Sequence, residues 1–205
     1  MRYTGLLLDF GGVLTTDLVA SVGAWCERQG LARERIEEVL TSDPAGQRLY
    51  RQIERGEISQ TAFEQGIAER LGVDGGGLVR ALLASAEPNP EMIQAAQRAR
   101  RAGIRVGIVS NSWGLDPYNP YEDYRLSDWL DAVVISGEVG LRKPELAIYQ
   151  LAVAKLAVPA RSCVFVDDLE PNLAPARALG MATVHHVQNA ATIPQLERLL
   201  GTELR

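Results

Sequence analysis

The chain opens on a short apolar run, Tyr3–Leu8, that ends at Asp9 and is followed by Phe10 and two glycines. A continuous apolar run predicts a strand buried on both faces, which is typical of a parallel sheet covered by helices. In such sheets ligands bind beyond the carboxyl ends of the strands, and Asp9 lies at that end. Because Gly11 and Gly12 let a substrate approach the backbone, Asp9 is predicted to be a nucleophile, a metal ligand or both. At this point a carboxylate that merely caps a helix is the alternative.

Residues 18–84 have a different pattern, with apolar positions at helical spacing and no strand between them. Glycines or a proline end the segments, and Ser59 is a predicted N-cap. The predicted helices are Leu18–Gln29, Arg33–Leu40, Gln47–Arg55, the segment from Ser59 to Leu71, and Leu78–Ala84. This part of the chain is therefore predicted to be an all-helical insertion after the first strand.

Strand and helix patterns alternate in the remainder of the chain. The predicted strands are Ile104–Val109, Ala132–Ile135, Ser162–Val166 and Ala182–His185. The predicted helices are Pro90–Arg101, Leu126–Leu130, Glu145–Leu156, Pro171–Leu179 and Ile193–Leu200. Such alternation predicts an α/β fold with a parallel, doubly wound sheet. The predicted organisation is an α/β core domain, residues 1–17 and 85–205, with a helical cap domain, residues 18–84.

The composition and net charge of the chain limit the partners and the location that we expect. Hydrophobic residues make up 46% of the chain and charged residues 23%, which is an ordinary globular balance. The net charge of −5 does not favour nucleic acid or an anionic membrane surface as a partner. The segment Met1–Gly5 leads into the first strand without a secretory pattern, and no apolar run is long enough to span a bilayer. We therefore expect a cytoplasmic protein with no nucleic-acid or membrane partner.

Polar residues cluster in four places that the predicted topology brings to one edge of the sheet. Each cluster has an ordinary explanation when taken alone, as a turn, a helix cap or a solvated lysine. Together they supply carboxylates for a hard cation, a fixed positive charge, and hydroxyl and amide donors, which suits phosphoryl transfer with Mg²⁺. The clusters are Asp9, Ser110 with Asn111, Lys143, and Asp167 and Asp168 with Asn172. Because Mg²⁺ needs only one or two carboxylates, Asp9 and Asp168 are the predicted ligands.

Four segments also carry a resemblance to a known family. They are Leu8–Thr15, Val109–Asn111, Arg142–Glu145, and Val164–Asp168 with Asn172. With these segments in this order, the chain resembles hydrolases of the haloacid dehalogenase (HAD) superfamily, and residues 18–84 resemble the small helical cap of its first cap class. It is most similar to the group that contains the N-terminal phosphatase domain of mammalian soluble epoxide hydrolase and bacterial glucose-1-phosphate phosphatases. That closer similarity lies in Arg55–Ser59, Ser110–Trp113 and Gly140–Glu145.

The resemblance implies a fold and a mechanism. The sheet would be Rossmann-like with strand order 3-2-1-4-5, which places Asp9 near Asp168. Asp9 would attack the substrate phosphorus and form an aspartyl-phosphate. Asp9 and Asp168 would bind Mg²⁺ together with the carbonyl oxygen of Gly11, and Lys143 would neutralise charge on the nucleophile and the phosphoryl oxygens.

The resemblance also implies roles for the remaining polar positions. Ser110 and Asn111 would donate hydrogen bonds to the transferred group, which would also lie against Gly12. Asp167 and Asn172 would orient the residues that hold the metal. The cap would close over the site and select the substrate, which is expected to be a small phosphorylated metabolite. A monomer and a homodimer are both compatible with the sequence.

Position 11 departs from the family pattern. Phosphatases of the family usually carry a second Asp there, which acts as general acid and base, whereas this chain has Gly11. The departure leaves two alternatives to a phosphatase: a 2-haloacid dehalogenase with the same Asp nucleophile, and a weakly catalytic or non-catalytic relative that binds phosphate or metal. Asp17, His185 and His186 are the candidates to replace the missing acid and base.

Overall fold

The structure, a computed structural model, describes residues 3–205, so Met1 and Arg2 of the predicted core range lie outside the described residues. Its centre is a five-stranded parallel sheet with strand order β3-β2-β1-β4-β5, which confirms the predicted fold class and strand order. The strands are β1 (Gly5–Leu8), β2 (Arg105–Ser110), β3 (Ala132–Ile135), β4 (Cys163–Asp167) and β5 (Ala182–His185).

The helices within residues 3–205 fall into two groups along the chain. The first group lies between β1 and β2 and consists of α1 (Leu18–Gln29), α2 (Arg33–Thr41), α3 (Pro44–Glu54), α4 (Gln60–Leu71), α5 (Leu78–Leu82) and α6 (Pro90–Arg101). The second group connects or follows the later strands and consists of α7 (Leu126–Trp129), α8 (Ser136–Val139), α9 (Leu146–Leu156), α10 (Glu170–Ala178) and α11 (Asn189–Leu200). None of these helices has the length and apolar character needed to cross a membrane.

The central strand β1 is buried on both faces, as its apolar run predicts. Leu6 and Leu8 pack into one apolar cluster with α6 and α11, and Leu7 packs into a second cluster with α9 and α10. Successive side chains of a strand point to opposite faces, so a strand covered on both sides must be apolar throughout. Helices therefore pack against both faces of the sheet, and the polar residues lie at its carboxyl edge.

Helices α1–α5 surround an apolar cluster of their own. Trp25, Phe63 and Ile67 are buried in it, and Trp113 and Tyr118 from the loop after β2 pack against it. The loop Trp113–Tyr124 thus contacts both parts of the chain, since Tyr121 and Tyr124 pack with the cluster of the sheet. The division into a core domain and a cap domain at residues 18 and 84 stays a prediction.

Two helices begin three or more residues before their predicted start, and one short helix was not predicted. Helix α3 begins at Pro44, because the carboxylate of Asp43 accepts a hydrogen bond from Gly46 N and starts the helix three residues early. Helix α11 begins at Asn189, about one turn before Ile193, with Pro194 inside it. Proline is favoured in the first helical turn, so Pro194 indicated a later start. The short helix α8 has no periodicity to reveal it, since it has only four residues.

Candidate active site

The predicted polar clusters meet at the carboxyl edge of the sheet. Leu8 is in register with Ile108 of β2 and with Val166 of β4, and Asp9 N donates to Val166 O at 2.8 Å. Since neighbouring strands are about 4.8 Å apart, the residues that follow these three strands share one small volume. The structure therefore brings Asp9 together with Asp167 and Asp168, as the sequence analysis predicts.

Lys143 reaches this volume from the loop between α8 and α9. Its Nζ lies 2.7 Å from Asp9 Oδ1 and 2.7 Å from Asp167 Oδ2, and the residue is 2% exposed. Burial by itself would lower the pKa of Lys143, but the charges of Asp9 and Asp167 outweigh it and raise the pKa above its usual value. Lys143 is therefore a permanent positive charge against the Asp9 carboxylate.

The orientation of Asp9 is fixed by donors to a single oxygen. Besides Lys143, the backbone N–H of Phe10 donates to Asp9 Oδ1 at 2.6 Å. Burial, together with the nearby carboxylates, raises the pKa of Asp9 to about 8, although Lys143 acts in the opposite direction. Burial and the charge of Asp167 also raise the pKa of Asp168, to about 6. Both shifts come first from burial and then from neighbouring carboxylates, and a bound cation would stabilise the charged forms.

The donor set fits a hard divalent cation. Carboxylate oxygens of Asp9, Asp167 and Asp168 all lie within 4.8 Å of one another. Both oxygens of Asp167 have protein partners: Oδ2 accepts from Lys143 Nζ, and Oδ1 accepts from Leu169 N and from Asn172 Nδ2. Asp9 and Asp168 are consequently the better candidates for metal ligands, and oxygen donors of this kind are those that Mg²⁺ prefers.

The two glycines after Asp9 have different neighbours. A Cβ on Gly12 would overlap Asp168 Oδ2, and Gly12 N donates to Thr15 Oγ1 at 3.1 Å. Gly12 also has a φ of +72°, which side-chain-bearing residues rarely adopt. The close approach that this glycine permits in the structure is therefore that of Asp168, while its predicted contact with a phosphoryl group stays a prediction.

The side chains of Ser110 and Asn111 are engaged within the protein. Ser110 Oγ lies 2.9 Å from the hydroxyl of Tyr121, and both side chains are buried. Asn111 Oδ1 accepts from Lys143 N at 2.8 Å, and Asn111 Nδ2 donates to Lys143 O at 3.1 Å. The amide of Asn111 thus holds the main chain of the loop that carries Lys143. A direct role of either residue on the transferred group stays a prediction.

Two buried neighbours of these groups were not predicted from the sequence as site residues. Tyr121 contacts Ser110, and Glu54 at the end of α3 contacts both Asn111 and Arg142. Glu54 stands in a helix rich in polar residues, where a carboxylate is typical of a solvated surface. The adjacency of Arg142 to Lys143 was the one available signal, and it does not indicate a partner 88 positions away in sequence.

The candidate replacements for a general acid and base have other partners. The Asp17 carboxylate accepts from Val19 N and Ala20 N and caps α1. His186 is buried with its Nδ1 at 2.8 Å from Thr192 Oγ1, and His185 Nε2 lies 2.8 Å from the carbonyl oxygen of Asp168. Because β5 is two strands away from β1, His185 is about 10 Å from the strand that carries Asp9.

Comparisons of the sequence with known proteins show which family the chain resembles. The family model of haloacid dehalogenase-like hydrolases matches residues 3–180. Bifunctional epoxide hydrolase 2 of Rattus norvegicus is 33% identical over 126 residues, which are 59% of this chain and 23% of that protein. The chain therefore matches less than a quarter of that relative's length. A sesquiterpene phosphatase of Aspergillus oryzae is 26% identical over 155 residues, 74% of this chain and 79% of that protein.

Among solved structures, a HAD family enzyme of Bacteroides thetaiotaomicron in complex with magnesium and inorganic phosphate has the same fold. Its TM-score is 0.65 at 23% identity, and the match covers 91% of this chain and 96% of that one. A likeness at this identity concerns the fold, whereas the family model spans most of the sequence. The chain belongs to the haloacid dehalogenase-like hydrolase family.

Proposed function

We propose that this hydrolase is a Mg²⁺-dependent phosphomonoesterase in which Asp9 is the nucleophile. The observation that carries the proposal is the buried Asp9 carboxylate, held at 2.7 Å by Lys143 Nζ with an Asp168 oxygen within 4.8 Å. The phosphatase among the relatives and the magnesium and phosphate in a structural neighbour support it. The proposed substrate is a small phosphorylated metabolite in the cytoplasm. Whether the protein is a monomer or a homodimer stays open in this proposal.

The proposed reaction has two displacements at phosphorus. In the first, an Asp9 oxygen forms a bond to phosphorus while the bond to the ester oxygen breaks, and the departing alkoxide takes a proton from water. In the second, water attacks the same phosphorus and loses a proton, and the bond between phosphorus and Asp9 breaks. The sum is hydrolysis of the ester to an alcohol and inorganic phosphate, with Asp9 regenerated.

Protein groups prepare the site for these displacements. Lys143 offsets the charge that builds up on the phosphoryl oxygens and keeps Asp9 in one orientation. Asp167, with Asn172, holds Lys143 in place. Asp9, Asp168 and the carbonyl oxygen of Gly11 would hold Mg²⁺, which supplies further positive charge to the phosphoryl group when bound.

The remaining roles in the proposal come from the resemblance. Ser110 and Asn111 would contact the transferred group with Gly12 nearby, in addition to the internal hydrogen bonds that the two polar side chains make. For Asn111 this contact would have to come from its backbone N–H, since its amide nitrogen donates to both Lys143 O and Glu54 Oε1 and its amide oxygen accepts from Lys143 N.

Phosphate release from a panel of phosphomonoesters tests the proposal. Release is expected with Mg²⁺, and it should be lost with EDTA and in Asp9→Asn, a variant that keeps the side-chain shape. Activity that survives in Asp9→Asn would refute the assigned nucleophile. If no ester is cleaved above the Asp9→Asn background, halide release from 2-haloacids then separates the dehalogenase alternative from a protein that only binds phosphate or metal.

A further inference from the structure

The C-terminal end of α3 carries a buried carboxylate into the neighbourhood of the active site. Glu54 is 1% exposed, although it belongs to the helical segment and not to the sheet. Its Oε2 lies 2.5 Å from Arg142 Nε, and its Oε1 accepts a hydrogen bond from Asn111 Nδ2 at 3.1 Å. A buried carboxylate is unfavourable unless it is paired, so these contacts fix where the end of α3 can lie.

Two partners of Glu54, Asn111 and Arg142, lead directly to Lys143. Asn111 makes two hydrogen bonds to the main chain of Lys143, one to its N–H and one to its carbonyl oxygen. Arg142 is the residue before Lys143, so an ion pair on its side chain restrains the same stretch of backbone. The position of Lys143 Nζ between Asp9 and Asp167 therefore depends on a backbone that Glu54 restrains from two sides.

Two neighbouring contacts place the same helix end on the same part of the sheet edge. Arg55 Nη2 lies 2.5 Å from Glu145 Oε1, just beyond the lysine loop. A Cβ on Gly56 would overlap the carbonyl oxygen of Gly137, so the two backbones are in direct contact. The end of α3 is thus a docking point of the helical segment, and Glu54 is its buried, charged element.

We propose that Glu54 is a positioning residue that sets the placement of Lys143 through Asn111 and Arg142. It couples the packing of the helical segment to the charge that faces Asp9. The effect of Glu54 on the position of Lys143 is proposed for the protein without substrate. Only the expected effect on turnover rests on the proposed phosphatase function. Burial raises the pKa of Glu54, and the charge of Arg142 with the hydrogen bond from Asn111 opposes part of that rise.

The chain allows a direct measurement of this coupling, because Lys143 and Lys155 are its two lysines. Labelling with [ε-¹³C]lysine gives one NMR signal from each, and the exposed Lys155 is an internal control. In Glu54→Gln and in Arg142→Gln, the Lys143 signal is expected to shift or broaden while the Lys155 signal stays in place. An unchanged Lys143 signal in folded Glu54→Gln protein would overturn the proposal, whatever the enzyme's activity.

Turnover provides the second readout. Glu54→Gln is expected to lower kcat on p-nitrophenyl phosphate about 10- to 100-fold with a much smaller change in KM, because a small misplacement of a catalytic group has a cost of this size. A purely structural role predicts a lower Tm with kcat per folded molecule unchanged at 25 °C. That outcome would also overturn the proposal.

The matched control is Arg70→Gln, which removes an ion pair between α4 and Asp43, the N-cap of α3, away from the lysine loop. Arg70 Nε lies 2.8 Å from Asp43 Oδ2 at the opposite end of α3. This variant is expected to lower Tm while leaving both kcat and the Lys143 signal unchanged.

The double variant Glu54→Gln/Arg142→Gln removes both charges of the pair and so leaves neither ion without its partner. Its loss of kcat is expected to be smaller than the product of the two single losses. Independent effects of the two substitutions would contradict the proposed coupling. If wild-type protein has no Asp9-dependent phosphatase activity, the proposed function fails, and the NMR comparison still decides the position of Lys143.

Discussion

Gly11 and Gly12 are adjacent in sequence, but a Cβ at each would overlap a different neighbour. Gly12 makes room for the Asp168 carboxylate, which a Cβ would overlap. Gly11 faces the first residue of α1, because a Cβ there would overlap Leu18 Cδ1. The position at which the resemblance expects a general acid and base is therefore next to an apolar side chain. A side chain at position 11 and Leu18 compete for one volume.

This competition gives a prediction for position 11. Gly11→Asp alone is expected to give little gain in phosphatase activity, because Leu18 must be displaced. With Leu18→Ala added, turnover of an alkyl phosphate should rise by about 10²-fold, the lower end of what general acid–base catalysis contributes. Gly11→Asn/Leu18→Ala is the control of equal size without the acid. A similar gain in that control would refute the acid–base explanation.

Metal binding should depend on pH through the site carboxylates. Without metal, burial raises the pKa of Asp9 to about 8 and that of Asp168 to about 6, so protons compete with Mg²⁺ below these values. The metal-free folded state holds these protons more tightly than the unfolded state, so its stability falls as pH rises towards 8. The increase in Tm caused by Mg²⁺ should therefore be larger at pH 8 than at pH 5.5. Asp168→Asn should remove most of it, and an equal increase at both pH values would contradict the assignment.

At the scale of residues, the sequence alone predicts which charged side chains form the centre of the site. It does not predict the buried residues that contact and position them. Asp9, Asp167 and Asp168 directly follow or end predicted strands, so the topology alone brings them together. Glu54 and Tyr121 reach the site through contacts between distant parts of the chain. Nothing in their local sequence distinguishes them from a surface carboxylate and a loop tyrosine.

At the scale of elements, local signals located most helices and strands. Gly30 and Gly72 end α1 and α4 with φ values of +67° and +71°, as glycines at helix ends commonly do. Helix α3 lacks such a signal at its start, since Asp43 and Pro44 also suggest a turn. The docking of its other end was not predictable, because it depends on where the helical segment lies on the sheet.

Gly56 tests that docking at the element level. Gly56 and Gly30 share a positive φ, so Ala at either position is strained by about 1–2 kcal/mol. Gly30 has open space around it, whereas a Cβ on Gly56 would overlap Gly137 O. Gly56→Ala is expected to lower the free energy of unfolding by about 2–5 kcal/mol, against about 1 kcal/mol for Gly30→Ala. Denaturant unfolding measures both, and equal losses would show that the contact at Gly56 is unimportant.

At the scale of the whole molecule, the sheet and the helical segment meet around one buried ion cluster. The strand order places β1 between β2 and β4, so the nucleophile candidate lies at the centre of the edge. The end of α3 contacts the sheet edge near Lys143, and Gln60 of α4 makes hydrogen bonds to the main chain of Trp113 and Tyr118 in the loop after β2. The alternation of strands and helices in the sequence predicted the parallel sheet. Where helices α1–α5 contact that sheet could be seen only in the structure.

The central claim is that Asp9 becomes phosphorylated during turnover, and trapping that intermediate tests it most directly. Protein quenched in acid during turnover of a phosphomonoester with Mg²⁺ should carry one phosphoryl group on the peptide that contains Asp9, measured by mass spectrometry. The group should be absent in Asp9→Asn and when the substrate is omitted. Steady phosphate release with Asp9 unmodified at every quench time, and undiminished in Asp9→Asn, would contradict the account.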